Sequence, residues 1–105
     1  MVLMSWADFA KTTLRNGNDV TIRPRGQSMR GRVESGDIVK LTPVTMDEVK
    51  VDDVVLVRVK GRDYLHLVKA KDGDRILIGN NRGVNNGWIR AGGLYGKAVE
   101  IASPE

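Results

Sequence analysis

Two side chains in this sequence are singled out as candidates for nucleophilic chemistry: the hydroxyl of Ser28, by its flanking glycines, and the imidazole of His66, the one histidine. A serine hydroxyl attacks poorly unless a base within hydrogen-bond reach takes its proton as it bonds to carbon. Neutral imidazole does this near pH 7, because its unperturbed pKa is about 6.5. Ser28 sits in RPRGQSMRGRVESGDIV, between Gly26 and Gly31, where the backbone is free to turn tightly and present a hydroxyl. His66 sits in YLHLV, where a period of two puts Tyr64, His66 and Val68 on one face of a strand and Leu65 and Leu67 on the other. A lone strand histidine is more often a hydrogen-bonded structural residue than a base, so these residues alone leave both roles open. Lys69 is the competing base, on the opposite face from His66, and burial would have to lower its pKa by several units. A working Ser28–His66 pair requires direct or one-water hydrogen-bond reach.

The elements that must position this pair are legible in the spacing of apolar residues. Ser5 and Asp8 have the form of a capping box, and Trp6, Phe9, Ala10, Thr13 and Leu14 then recur at helical spacing. This predicts an amphipathic helix from about Trp6 to Arg15, ended near Gly17 and packed on the domain. Val20 and Ile22 alternate with Thr21 and Arg23, as in a half-buried strand delivering the chain to the serine loop, and Pro24 ends its pairing. Further strands are expected at Asp37–Leu41, at Val54–Lys60 and, after a turn at Gly61–Asp63, at Tyr64–Lys71 as the hairpin partner. A turn over Lys71–Asp74 leads into Arg75–Ile78. Asn80 to Gly87, NNRGVNNG, reads as turn chemistry throughout, and a last strand covers about Gly96 to Ile101. Short strands spaced by turns give a mainly β domain, with barrel, sandwich and coiled-sheet versions all open.

Length and composition narrow the function classes. The chain has 105 residues and no internal repeat, which predicts a single domain over 1–105, with the helix inside 1–18 and a β core at 19–102. It has no cysteine and one histidine, so no disulfide, thiolate metal site or multi-histidine metal site is available, and no metal or cofactor is expected. No apolar run approaches the ~18 residues that span a bilayer, and MVLMSWADFA lacks the form of a secretory signal, so the expectation is a cytoplasmic protein with no membrane partner. Net charge is +4, and Arg23, Arg25, Arg30 and Arg32 crowd around Ser28 as a candidate anion-binding group. Acidic residues follow closely from Glu34 to Asp53, which reads as a mixed, solvated face. Aromatic residues are only 5% and scattered, a poor supply for a base-stacking platform, so nucleic-acid binding is expected to be weak and independent of sequence.

G-x-S-M followed by S-G-D and two hydrophobic residues resembles the nucleophile box of the S24/S26 serine peptidases, which include LexA-type autoproteases and type I signal peptidases. DVVLVRVKGRDYLHLVKA resembles the segment that carries the general base in that group, with His66 in the base position. The resemblance covers roughly Arg23 to Ile101. It implies a compact, twisted β-sheet fold, a Ser28/His66 dyad and acyl-transfer proteolysis of a polypeptide. It also implies that the Ser28 backbone amide stabilises the oxyanion, with Gly26, Gln27 and Met29 as supporting loop positions and Gln27 as a second donor. IGNNRGVNNGW resembles the terminal box of the signal peptidases, but Asn80 replaces its first aspartate. Asn80, Asn81, Asn85 and Asn86 then stand where a carboxylate would orient the base. The same asparagines are equally those of a surface loop that tolerates left-handed turns.

Three functions compete on this basis. One is a soluble serine endopeptidase acting on another protein. The second is the same fold with an inactive site, used to bind a peptide strand by β-augmentation or to oligomerise, in the simplest case as a homodimer. The third is nucleic-acid binding through the arginines.

Overall fold

The structure, a computed structural model, describes residues 6–104. Ser5, the expected first member of the capping box, lies outside the described residues. Helix α1 (Trp6–Arg15) has Asp8 in its first turn and Arg15 in its last, each complementing the helix dipole. Its end is a Schellman motif: Gly17, at φ 84°, donates to Leu14 O, and Asn18 donates to Thr13 O.

The buried stripe of α1 differs from the expected one. Ala7, Ala10 and Leu14 face the core, whereas Trp6 is 49% and Phe9 60% exposed. The reason lies on the opposing strand. A Cβ placed on Gly96 would stand 2.9 Å from Leu14 Cδ1 and 2.7 Å from Thr42 O. The helix therefore approaches the sheet closely, and small residues suit that distance where aromatic rings do not.

Seven strands form one sheet: β1 (Val20–Ile22), β2 (Ile38–Pro43), β3 (Val54–Val59), β4 (Arg62–Asp72), β5 (Arg75–Gly79), β6 (Asn85–Ile89) and β7 (Leu94–Ala102). Their order is β1-β2-β7-β3-β4-β5-β6, with antiparallel neighbours throughout. The last strand thus lies in the middle, between β2 and β3. The alternation of VVLVRVK splits across both sheet faces. Val54 and Leu56 join Leu41, Leu65, Leu67 and α1 in one core, while Val55, Val57 and Val59 join Val68, Ile76 and Ile78 in another. The sheet coils around the second core: a Cβ on Gly87 of β6 would stand 3.5 Å from Val59 Cγ1 of β3.

Two turn assignments are corrected. The β3–β4 hairpin turns on Lys60 and Gly61 alone, at φ 50° and 80°, the two left-handed positions that a type I′ turn demands. Arg62 and Asp63 already belong to β4. The NNRGVNNG segment is turn only from Asn80 to Val84; Asn85, Asn86 and Gly87 open strand β6, recruited into the sheet by pairing with β5.

Candidate active site

Ser28 lies on the loop between β1 and β2. Gly36 N–H donates to Pro24 O and closes the loop at its base, and Gly26 N–H donates to Ser35 Oγ. Within it, Arg30 donates to Gln27 O, and Arg32 and Val33 both donate to Met29 O, forming a helix-like turn. Met29 and Val33 are buried and pin the turn to the core. Gly26 and Gly31 take φ 125° and 98°, which a side chain would strain. The Gly36-Asp37 pair has a structural task. Buried Asp37 accepts from Glu34 N through Oδ2 at 2.8 Å and so sets the turn that starts β2.

Strand β4 carries His66, 5% exposed, paired with Val55 of β3. Ser28 Oγ lies 3.2 Å from His66 Nε2. On the other side of the ring, His66 Nδ1 lies 2.7 Å from Asn86 Oδ1. An amide oxygen only accepts, so Nδ1 carries the proton and Nε2 is left with its lone pair facing the serine. Tyr64, two residues earlier on the same face, stacks on the imidazole at 4.7 Å between ring centres. Burial pushes the imidazole pKa below its ordinary value, and the Asn86 bond opposes that shift. Burial thus favours the neutral ring, the state in which it accepts a proton.

Strand pairing explains why Asn86 reaches the histidine. Ile78 of β5 pairs with Gly87 and Gly79 with Asn85, so Asn86 is the extra residue of a β-bulge. Such a bulge re-aims a side chain out of the regular alternation. The other asparagines do different work. Asn80 Oδ1 accepts from Arg82 N and Val84 N and shapes the turn. Asn81 reaches the serine loop twice, its backbone N–H donating to Ser28 O at 3.1 Å and its Nδ2 to Arg30 O at 2.8 Å. Asn85 packs on Gly79, where a Cβ would stand 2.7 Å from its Oδ1. Of the four, Asn86 alone is hydrogen-bonded to His66 among the described residues.

The remaining sequence candidates separate. Neither the Ser28 nor the Met29 amide donates a hydrogen bond within the described residues. Gln27 is exposed, gives its carbonyl to the turn and does not line the cleft at Ser28. Lys69 packs its Cγ near Gly79, while the serine's partner is His66. The arginines point to different partners. Arg23 donates to Gly36 O, Arg32 binds Asp52 at 2.8 Å, Arg30 lies 3.9 Å from Glu34, and Arg25 lines the cleft.

Ser28 and His66 open onto a cleft of about 170 Å³ whose walls include Trp6 and Tyr64. The sequence reading gave neither aromatic residue a part in the site, although the period of two had placed Tyr64 beside His66. Among the described residues, no group of three acidic, histidine or cysteine side chains is disposed to hold a metal ion. No helix among them is long and apolar enough to cross a membrane.

A coiled antiparallel sheet with one N-terminal helix, displaying a serine loop against a strand histidine, is the architecture expected of an S24-type domain. Protein-family comparison matches residues 5–99 to Peptidase S24-like, and the chain belongs to that family. A comparison with curated proteins finds no match.

Proposed function

We propose that this domain is a serine peptidase acting on polypeptide, with Ser28 as nucleophile, His66 as general base and Asn86 as the residue that orients the base. The observation that carries this reading is the aligned run Ser28 Oγ–His66 Nε2–Nδ1–Asn86 Oδ1, at 3.2 and 2.7 Å. In the acylation step Ser28 Oγ bonds to the scissile carbonyl carbon as its proton passes to Nε2. The amide of Ser28 supports the oxyanion. The imidazolium then gives its proton to the leaving amine, and a water molecule activated by His66 hydrolyses the ester.

The amide at position 86 selects the reactive tautomer but does not neutralise the imidazolium. In a serine-protease triad, changing the orienting aspartate to asparagine lowers kcat by about 10⁴ through the wrong tautomer, so with the reactive tautomer kept the missing charge costs less than that. Slow turnover on generic peptides is therefore expected, with faster turnover on a partner that docks and holds its scissile bond in place. The test is covalent labelling with a serine-directed fluorophosphonate. The expected result is labelling of Ser28 that is lost in Ser28→Ala and strongly reduced in His66→Ala. A wild-type protein that stays unlabelled at every pH moves the reading to a binding module on the same fold.

A further inference from the structure

Helix α1 buries Ala7, Ala10 and Leu14 and leaves Trp6 half exposed. Trp6 nevertheless lines the cleft onto which Ser28 and His66 open. A second aromatic wall is Tyr64, held by its stack on His66. The floor is the apolar set Met29, Val33 and Leu65, all nearly buried. The cleft is open to solvent, carries polar groups beside its apolar ones, and at about 170 Å³ has room for one large side chain.

The charged groups at this cleft are already placed, which disfavours a charged side chain as the occupant: the Arg25 guanidinium lies along Gly36, 3.4 Å from where a Cβ there would stand, and the two carboxylates are engaged. Asp63 Oδ1 lies 3.1 Å from Lys11 Nζ and 3.0 Å from Arg58. Glu34 Oε2 accepts from Gly31 N at 2.7 Å. A large apolar side chain meets aromatic walls and an apolar floor, and leaves those ion pairs in place.

We propose that the cleft is a specificity subsite for one large apolar side chain, such as leucine or phenylalanine, next to the scissile bond of a polypeptide, with Trp6 of α1 as its outer wall. The proposal rests on the peptidase reading for its meaning, and its test is separable from that reading because it measures binding without chemistry. The probes are acetylated tetrapeptides, identical except for a C-terminal leucine, phenylalanine or alanine, bound to Ser28→Ala protein and to Trp6→Ala and Trp6→Phe in that background.

The expected result is that the leucine and phenylalanine peptides bind at least about 10-fold tighter than the alanine peptide, the discrimination that a few methylenes give in an apolar pocket. Trp6→Ala should bring the three within roughly threefold, and Trp6→Phe should keep most of the preference. Equal binding of the three peptides to Ser28→Ala, or a preference that survives intact in Trp6→Ala, overturns the proposal. Fluorophosphonate labelling of the wild type, run in parallel, reports on the dyad alone. If labelling fails while the peptide preference stands, the subsite is real and the serine chemistry is not.

Discussion

In the proposed reaction, Asn86 is the position at which one atom sets the environment of the histidine. Replacing its amide by a carboxylate keeps an acceptor beside His66 Nδ1 and adds a negative charge that stabilises the imidazolium. Asn86→Asp should therefore raise the plateau rate of fluorophosphonate labelling tenfold or more, bounded by the ~10⁴ cost of the reverse change in a triad. It should also move the midpoint of the rate profile to higher pH. The same change at Asn85, which packs on Gly79, should do neither. Equal responses at the two positions would show that the 2.7 Å contact has no catalytic meaning. His66 itself links pH to stability. Burial holds its folded-state pKa below the unfolded value of about 6.5, so the unfolded chain binds the proton more readily. Stability from this group is complete above about pH 7 and is lost as pH falls through about 6.5 towards the folded value. Urea midpoints of the wild type should drop relative to those of His66→Gln between about pH 7.5 and pH 5, and parallel curves would contradict the assignment.

The turn from Asn80 to Val84 and the strand that follows brace both partners at once, holding Ser28 through Asn81 and His66 through Asn86. Asn81→Ala removes the Nδ2 bond to Arg30 O and keeps the backbone bond to Ser28 O. It should cost about 0.5–1.5 kcal/mol of stability. Labelling should slow by more than that loss implies, because a misplacement of ~1 Å costs on the order of 10²-fold in rate, while the pH midpoint stays where it was. A shifted midpoint would instead place Asn81 in the proton chemistry. Helix α1 offers a packing test. Gly96→Ala puts a methyl group against Leu14 and Thr42 O, and overpacking of this kind costs about 1–3 kcal/mol. Tm should fall by roughly 4–8 °C per kcal/mol. An unchanged Tm would mean that the helix does not sit as close to β7 as described.

Most of the fold was legible because β-branched runs and turn residues mark strands locally, and the helix span follows from its periodicity and glycine stop. Ser28 and His66 were legible as candidates from residue type, flanking glycines and strand phase, and as a pair only through the resemblance to the S24/S26 peptidases. What escaped the sequence depends on contacts between distant segments. The bulge that selects Asn86 over Asn85 exists only in the register of β6 on β5. The outward turn of Trp6 and Phe9 follows from a glycine about ninety residues away, and the central place of β7 from pairing that no local pattern announces. Across the whole molecule, two cores on opposite faces of one sheet hold the strands that bring the serine loop, His66 and Asn86 together. The most direct measurement of that arrangement's purpose is the pH dependence of fluorophosphonate labelling at Ser28, compared between wild type and His66→Ala. The expected profile for the wild type rises through a single ionisation below about pH 6.5 and then levels, and His66→Ala removes the rise. Identical profiles for the two proteins would contradict the assignment of His66 as the base.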